Sequence, residues 1–299
     1  MQWSKSLSSL VLLLMLGVPG VSAQSQFGAQ DGEGVPNRRQ AWLVPTPEPG
    51  TVSHAVLFRP PGEGPFPLAL IAHASTQNVL HRAQTPQPEY RALAAGLVAR
   101  GFAVLVPERP GHGATGGKYV EDRGGCDEAD YLRAGRGTAE TIAVALNFAR
   151  KQSFVRPEGA VIVGHSAGAW GALALAATRP PEVAAIIAFA PGRGGHANDF
   201  PRRICAPHTL LSAAADFGRG SQVPVTWLVA ANDSYFSPEF SRQLADAFRN
   251  AGGKVNFRVL PASGSEGHWL PETEGGVKST MAELDRALKN LRAATAKQQ

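Results

Sequence analysis

Short apolar segments without polar interruptions restrict the fold of this chain more than any other feature of its sequence. Three of them are 67–72 (PLALIA), 102–106 (FAVLV) and 159–163 (GAVIV). A strand with one solvated face alternates apolar and polar residues, so continuous apolar runs indicate strands that are covered on both faces. The sequence therefore predicts a buried sheet between layers of other structure.

Helix-like segments separate these strands along the chain. We predict helices over 90–100, 138–151, 238–251 and 277–297, and further strands over 183–190, 225–230 and 255–260. Strands that alternate with helices are joined by crossovers, which makes neighbouring strands parallel. The predicted fold class is α/β, with a mostly parallel central sheet and helices on both faces. Active sites in such sheets lie at the carboxyl ends of the strands.

The first 23 residues have the features of a signal peptide. Lys5 precedes the apolar run 10–18, and the small residues 21–23 predict cleavage after Ala23. The run is about half as long as the roughly 20 residues that span a membrane. We therefore expect an exported protein, periplasmic or secreted, without a stable membrane anchor. Residues 24–38 are predicted to be a flexible lead-in, and 39–299 a single domain.

Composition excludes several classes of protein. The chain is 43% hydrophobic and 18% charged, which is too apolar for a disordered protein and too charged for a polytopic membrane protein. Its formal net charge is +5, but the basic residues are scattered, so we expect no nucleic-acid partner. The oligomeric state is not predicted from the sequence.

The chain contains two cysteines, too few for a four-cysteine zinc site. In an oxidising compartment Cys126 and Cys205 have only each other as partners, which favours a disulfide between them. The alternative is a pair of free, buried thiols.

The segment 164–168 (GHSAG) follows the predicted strand 159–163 and precedes a helical stretch. This is a G-x-S-x-G sequence in its strand–turn–helix context, typical of a nucleophile elbow. Small residues at both glycine positions allow a strained turn that exposes the Ser166 hydroxyl. The amide of Ala167, at the start of the helix, can then stabilise an oxyanion. The alternative is a glycine-rich turn that binds phosphate or nothing.

A serine nucleophile needs a histidine base and an acid that orients it. In this topology the acid and the histidine follow the serine along the chain, so His196, His208 and His268 compete. Only His268 lies between the last strand and the terminal helix, and we predict it as the base. Asp233 follows the strand 225–230 and is predicted as the acid; a plain turn aspartate is the alternative.

The second oxyanion donor is expected in the loop after 67–72. The Ser75 amide is the first candidate there and the Thr76 amide the second. His73 is expected to brace this loop rather than to catalyse.

Together these segments resemble the α/β-hydrolases, in particular the dienelactone hydrolase-like and bacterial serine esterase branch. The resemblance covers about 50–290 and rests on 73–75 (HAS), 109–113 (RPGHG), 164–168, 232–233 (ND) and 267–268 (GH). The chain has Ser166 where dienelactone hydrolases carry cysteine, and Ala74 where glycine is usual. The resemblance implies ester hydrolysis through an acyl-enzyme, with no metal and no organic cofactor.

Residues near the predicted site are candidates for the substrate pocket. Trp269, Tyr235 and Phe236 adjoin the predicted catalytic residues, with core packing as the alternative. Arg109 could meet a substrate carboxylate, but structural pairing is the favoured interpretation for it. The polar segment 116–136 is expected to cross over the site. No long insertion follows 183–190, where many lipases carry a lid.

These features favour an exported esterase that acts on small, soluble esters. A peptidase of the same fold is the first alternative, but no large cap domain precedes the core to select peptides by size. A non-catalytic binding protein on a hydrolase scaffold is the second, but a degenerate copy usually loses at least one of Ser166, Asp233 and His268.

Overall fold

The computed structural model describes residues 26–296, so the predicted signal peptide 1–23 lies outside the described residues. The strands are β1 (Gly28–Ala29), β2 (Gln40–Pro45), β3 (Val52–Phe58), β4 (Leu68–Ala72), β5 (Ala103–Pro107), β6 (Ala160–His165), β7 (Val183–Phe189), β8 (Val225–Ala230) and β9 (Val255–Leu260). The α-helices are α1 (Val79–Ala83), α2 (Arg91–Val98), α3 (Tyr131–Ala149), α4 (Ala167–Ala176), α5 (Pro207–Gly220), α6 (Pro238–Asn250) and α7 (Glu274–Ala296). Two short 3₁₀ helices are Ala197–Asp199 and Gly267–Glu272.

The nine strands form one sheet in the order β1-β2-β3-β5-β4-β6-β7-β8-β9. The pairs β1–β2, β2–β3 and β3–β5 are antiparallel, and all pairs from β5–β4 to β8–β9 are parallel. This confirms the predicted α/β class and its mostly parallel sheet. The parallel register brings the carboxyl ends of β4, β6, β7 and β8 to one edge of the sheet.

Apolar side chains fill both faces of this sheet. Along β4, Leu70 belongs to one buried cluster, whereas its neighbours Ala69 and Ile71 belong to the other. Because successive strand residues point to opposite faces, the two clusters lie on opposite sides of the sheet. Side chains of α3 to α6 join the first cluster, and side chains of α2 and α7 join the second. The continuous apolar runs are therefore explained by burial on both faces.

The sequence analysis missed β1 to β3 and α5, and it placed the start of α3 too late. The strands β2 and β3 include polar residues such as Gln40, Ser53 and His54, so they lack a continuous apolar run. Helix α3 begins at Tyr131, inside the segment 116–136 that was predicted to cross the site. The carboxylate of Asp130 accepts a hydrogen bond from the Arg133 amide (2.9 Å) and caps this earlier helix start.

The described part of the predicted lead-in 24–38 makes specific contacts with the domain. Strand β1 pairs with β2, and the Asp31 carboxylate accepts a hydrogen bond from the Ala41 amide (2.6 Å). Glu33 forms ion pairs with Arg38 and Arg59. These contacts attach 28–38 to the antiparallel side of the sheet.

Cys126 and Cys205 form a disulfide, as predicted. The bond joins the loop that precedes α3 to the segment that precedes α5. These residues are 79 positions apart in the sequence, so the bond closes a long loop. In the part of the chain that the structure describes, no helix is long and apolar enough to cross a membrane.

We predict that replacing both cysteines by alanine lowers the free energy of unfolding by about 4 kcal/mol, because the unfolded chain regains the entropy of a long loop. Urea unfolding of wild type and double variant measures this difference. Dithiothreitol is expected to destabilise the wild type and to leave the variant unchanged. Two reactive thiols per chain in denatured, unreduced protein would contradict the disulfide.

Candidate active site

The turn between β6 and α4 has the geometry predicted for a nucleophile elbow. Ser166 adopts φ 53° and ψ −116°, a strained conformation for a residue with a side chain. A Cβ at Gly164 would lie 2.3 Å from Ala169 Cα, and one at Gly168 would lie 2.1 Å from the Ala72 carbonyl oxygen. Both positions therefore require glycine. Ala167 is the first residue of α4, where an amide N–H has no partner within its own helix.

His268 and Asp233 lie in contact, 35 residues apart in the sequence. The Asp233 Oδ2 atom lies 3.0 Å from His268 Nδ1, and both side chains are buried. Asp233 Oδ1 accepts hydrogen bonds from the amides of Tyr235 and Phe236, each at 2.8 Å. These amides fix the carboxylate. His268 Nδ1–H donates to it, which leaves Nε2 as the ring nitrogen that can accept a proton.

Glu266 joins the loops that carry these two residues. Its carboxylate accepts hydrogen bonds from the amides of His268 (2.9 Å) and Ser234 (3.1 Å), and also from the Ser234 hydroxyl. The Tyr235 ring stacks on the His268 ring with centroids 4.3 Å apart. The imidazole is thus held at its edge by Asp233 and on one face by an aromatic ring.

Burial lowers the pKa of the His268 ring below 6.5 because it disfavours the charged form. The hydrogen bond and the charge of Asp233 act in the opposite direction but do not reverse the shift. The ring is therefore neutral at neutral pH, as a general base requires.

The loop after β4 is fixed by three side chains. His73 Nδ1–H donates to the Ala74 carbonyl (2.6 Å), and its Nε2 accepts from the Arg109 amide (3.0 Å), so His73 braces this loop as expected. The Ala74 amide donates to the Tyr90 hydroxyl (3.1 Å) and is not free to bind an oxyanion. The Ser75 hydroxyl lies 2.7 Å from His112 Nε2. Burial is the main reason why the pKa of His112 falls to about 4.

Ser166 and His268 line the same cavity, which has a volume of about 560 Å³, within the usual range for small-molecule sites. Among the described residues no hydrogen bond joins the Ser166 hydroxyl to the His268 ring; catalytic hydrogen bonds often tighten only when substrate binds. The other residues predicted for the oxyanion hole or the pocket that line this cavity are Ser75, Thr76, Tyr235, Phe236 and Trp269. Tyr119, Arg123 and Cys126 also line it, so the segment 116–136 forms part of the wall.

Arg109, a candidate for contact with a substrate carboxylate, instead has the structural pairing that the sequence analysis favours for it. Arg109 does not line this cavity and is buried, with its guanidinium paired to the Glu121 carboxylate at 2.6 and 3.2 Å. The same guanidinium donates to the His73 carbonyl (2.7 Å). A charge that is already paired under the cavity floor cannot reach a substrate carboxylate, so the structural alternative holds for this residue.

Arg193 completes a buried charge cluster that the sequence did not reveal. It pairs with the Glu121 carboxylate that Arg109 also contacts, and Thr138 Oγ1 donates to the same carboxylate (3.1 Å). Burial acts to raise the pKa of Glu121, but the charges of Arg109 and Arg193 outweigh it and hold this pKa well below its usual range. Arg193 also lines the cavity, which places a second guanidinium beside that of Arg123.

Comparison with known proteins extends these observations. The Hydrolase_4 family, described as serine aminopeptidase, S33, matches 76–217, which includes Ser166 but ends before Asp233 and His268. No curated protein matches the chain. Among solved structures, Est1E from Butyrivibrio proteoclasticus with bound ferulic acid is 17% identical and has a TM-score of 0.58, covering 84% of this chain and 99% of its own.

Two further structures show the same similarity. The Pyrococcus furiosus esterase Pf2001 is 12% identical with a TM-score of 0.59, and the match covers 84% of this chain and 92% of that one. A candidate dienelactone hydrolase from Klebsiella pneumoniae subsp. pneumoniae is 15% identical with a TM-score of 0.56, covering 84% and 98%. The chain has the α/β-hydrolase fold. The resemblance predicted from the sequence is therefore confirmed.

Several residues of this α/β-hydrolase site were missed by the sequence analysis. Glu266, Tyr90 and Arg193 act through partners that are distant in the sequence, and no local motif marks them. To predict these three residues from the sequence, one would have to know which loops meet at the sheet edge. Within 26–296, no group of three or more His, Cys, Asp or Glu side chains is arranged to hold a metal ion.

Proposed function

We propose that the protein is a serine hydrolase that cleaves carboxylic esters of small molecules. The observation that carries the proposal is the strained Ser166 turn facing the same cavity as a buried, neutral His268 that Asp233 holds in one orientation. The family match and the esterase structures among the neighbours support a hydrolase. The carboxylic-ester substrate and the catalytic roles are our inference from the site.

In the proposed reaction the Ser166 hydroxyl attacks the ester carbonyl while His268 Nε2 takes its proton. The Asp233 carboxylate stabilises the resulting imidazolium. The amides of Ala167 and Ser75, or Thr76 in its place, stabilise the oxyanion. The proton then passes to the leaving alcohol, and water releases the acyl group by the same steps in reverse. Each oxyanion donor contributes about 2.7–4 kcal/mol to lowering the barrier in sites of this kind.

An aminopeptidase is the second candidate, because the matching family carries that description. An aminopeptidase must bind the ammonium group of a peptide N-terminus, which favours carboxylates around the nucleophile. Asp199 is the one carboxylate among the described residues that line the Ser166 cavity, and it is exposed, whereas the Arg193 guanidinium there is already paired with Glu121. The lack of a buried carboxylate in this part of the described lining favours an ester over an N-terminal ammonium group.

Replacing Ser166 by alanine is expected to reduce hydrolysis of p-nitrophenyl acetate by about 10⁶-fold, to background, because the attacking hydroxyl is lost. The melting temperature should stay within a few degrees of the wild type. Wild type, but not the variant, should react with a fluorophosphonate probe; a wild type that is not labelled would indicate a non-catalytic binding protein. Faster cleavage of aminoacyl p-nitroanilides than of p-nitrophenyl esters would favour the aminopeptidase.

We expect kcat/KM for ester hydrolysis to rise with pH and to level off, with its midpoint below pH 6.5. The base must be neutral to accept a proton, and burial lowers the pKa of His268. The charged and titratable groups that face the ring include Asp233, His165, Glu266, Glu272 and the stacked Tyr235. A profile measured between pH 4.5 and 9 tests this, and a midpoint above 6.5 or a bell centred on a higher pKa would contradict it.

We further propose that the protein is exported, to the periplasm or the medium. The sequence of 1–23 and the disulfide, which persists in oxidising compartments, support this proposal. Expression of the full chain in a bacterial host should yield a mature protein outside the cytoplasm whose N-terminal residue is Gln24. Edman sequencing that instead finds residues 1–5 intact on the soluble protein would refute the cleavage.

A further inference from the structure

A chain of hydrogen bonds runs beneath the cavity and joins the three segments that carry the proposed catalytic groups. The Ala74 amide, in the loop after β4, donates to the Tyr90 hydroxyl (3.1 Å). Tyr90 Oη in turn lies 2.9 Å from His165 Nδ1, and His165 immediately precedes Ser166. His165 Nε2–H then donates to the main-chain carbonyl of His268 (2.8 Å). The chain therefore connects the oxyanion loop (73–76), the elbow and the loop of the base.

The two ends of this hydrogen-bond chain fix the directions of its first and last bonds. An amide N–H can only donate, so Tyr90 Oη must accept from Ala74. A main-chain carbonyl can only accept, so His165 Nε2 must carry the proton that bonds to His268. Tyr90 and His165 are buried, where a hydrogen bond is stronger and an unpaired group costs more than in water.

Two further observations indicate that the position of Tyr90 is enforced. Tyr90 has φ 48° and ψ 44° at the start of α2, a left-handed conformation that is unusual for a bulky residue. Such a conformation persists only where the surroundings fix it. Glu272 adds a second tie, because its carboxylate hydrogen-bonds to the Tyr90 hydroxyl and its Oε1 atom lies 3.1 Å from His165 Nδ1. The segment 267–272 is thus attached to His165 at both His268 and Glu272.

We propose that Tyr90 and His165 are positioning residues, which hold the oxyanion loop and the His268 loop at a fixed separation from Ser166 through this chain of three hydrogen bonds. The proposal rests on the proposed serine-hydrolase function. It assigns these residues an action through Ala74 and His268 rather than contact with the substrate.

The proposal predicts that changes at these two residues lower the rate of the chemical step and leave substrate binding unchanged. Neither Tyr90 nor His165 is among the described residues that line the Ser166 cavity. Replacing them should therefore leave KM nearly unchanged. A displacement of a catalytic group by about 1 Å can reduce the rate by about 100-fold. The expected signature is a lower kcat at constant KM, measured per active site that a fluorophosphonate titrates.

We expect Tyr90→Phe to reduce kcat about 10-fold and His165→Leu to reduce it by about 100-fold, each with KM within about threefold of the wild type. In His165→Gln the side-chain amide can again donate to the His268 carbonyl, so most of the lost kcat should return. The double variant Tyr90→Phe/His165→Leu should be no slower than His165→Leu alone, because both changes interrupt the same series of hydrogen bonds.

Tyr131→Phe is the matched control. Tyr131 is also a buried tyrosine whose hydroxyl donates to a main-chain carbonyl, that of Cys205, and it does not line the cavity. The Tyr131→Phe variant should have a melting temperature lowered about as much as that of Tyr90→Phe, but its kcat should equal that of the wild type. Equal kcat losses in the two phenylalanine variants, or a kcat of Tyr90→Phe and His165→Leu within twofold of the wild type, would overturn the proposal.

Hydrogen exchange tests the coupling independently of turnover. In Tyr90→Phe, peptides covering 73–77 and 264–269 should both exchange faster, although the Tyr90 hydroxyl bonds directly to Ala74 and to the Glu272 side chain and reaches the main chain of His268 only through His165. Faster exchange in 73–77 alone would contradict transmission through His165. If the wild type hydrolyses no ester, the proposed function fails, and this exchange measurement still decides whether the hydrogen-bond chain couples the two loops.

Discussion

The close approach of two backbones at the start of α4 is the contact on which the site depends. Helix α4 begins directly above β6, and Gly168 lies against the last carbonyl of β4, with no room for a Cβ. This approach forces Ser166 into its strained conformation, and it brings the oxyanion loop beside the first turn of the helix. The packing of the fully buried helix α4 beside the fully buried strand β6 maintains that strain.

Around this turn, buried polar contacts hold the loops that the strands deliver to the sheet edge. Glu121, in the loop before α3, pairs with Arg109 after β5 and Arg193 after β7. Removing one member of such a cluster leaves a buried charge without compensation, at a cost of about 3–5 kcal/mol in comparable cases. Arg193 of this cluster and both cysteines of the disulfide line the cavity, so a covalent bond and buried charge pairs support its wall in addition to apolar packing.

The sequence identifies candidate site residues where they follow strands and misses contacts that act across loops. Ser166 and Asp233 are candidates because each follows an apolar strand, and His268 because it lies between the last strand and the terminal helix; in the structure Ser166 and His268 line one cavity and Asp233 contacts His268. Arg109 also follows a strand, but it forms an ion pair with Glu121, and no local sequence pattern indicates this pairing. The antiparallel strands β2 and β3 were missed because polar residues interrupt them, and no helix was predicted over α5.

The sequence by itself determined the α/β class, the order of the parallel strands along the chain and the strained turn at 164–168, because apolar runs, helix signals and paired glycines act over a few residues. Only the tertiary structure decided the order of strands in the sheet, the pairing of Arg109 and the chain from Ala74 through Tyr90 and His165 to His268. The residue pairs in these side-chain contacts are between 12 and 103 positions apart. Their geometry depends on how loops from separate strands meet, and that is fixed by the packing of the whole sheet and its helices.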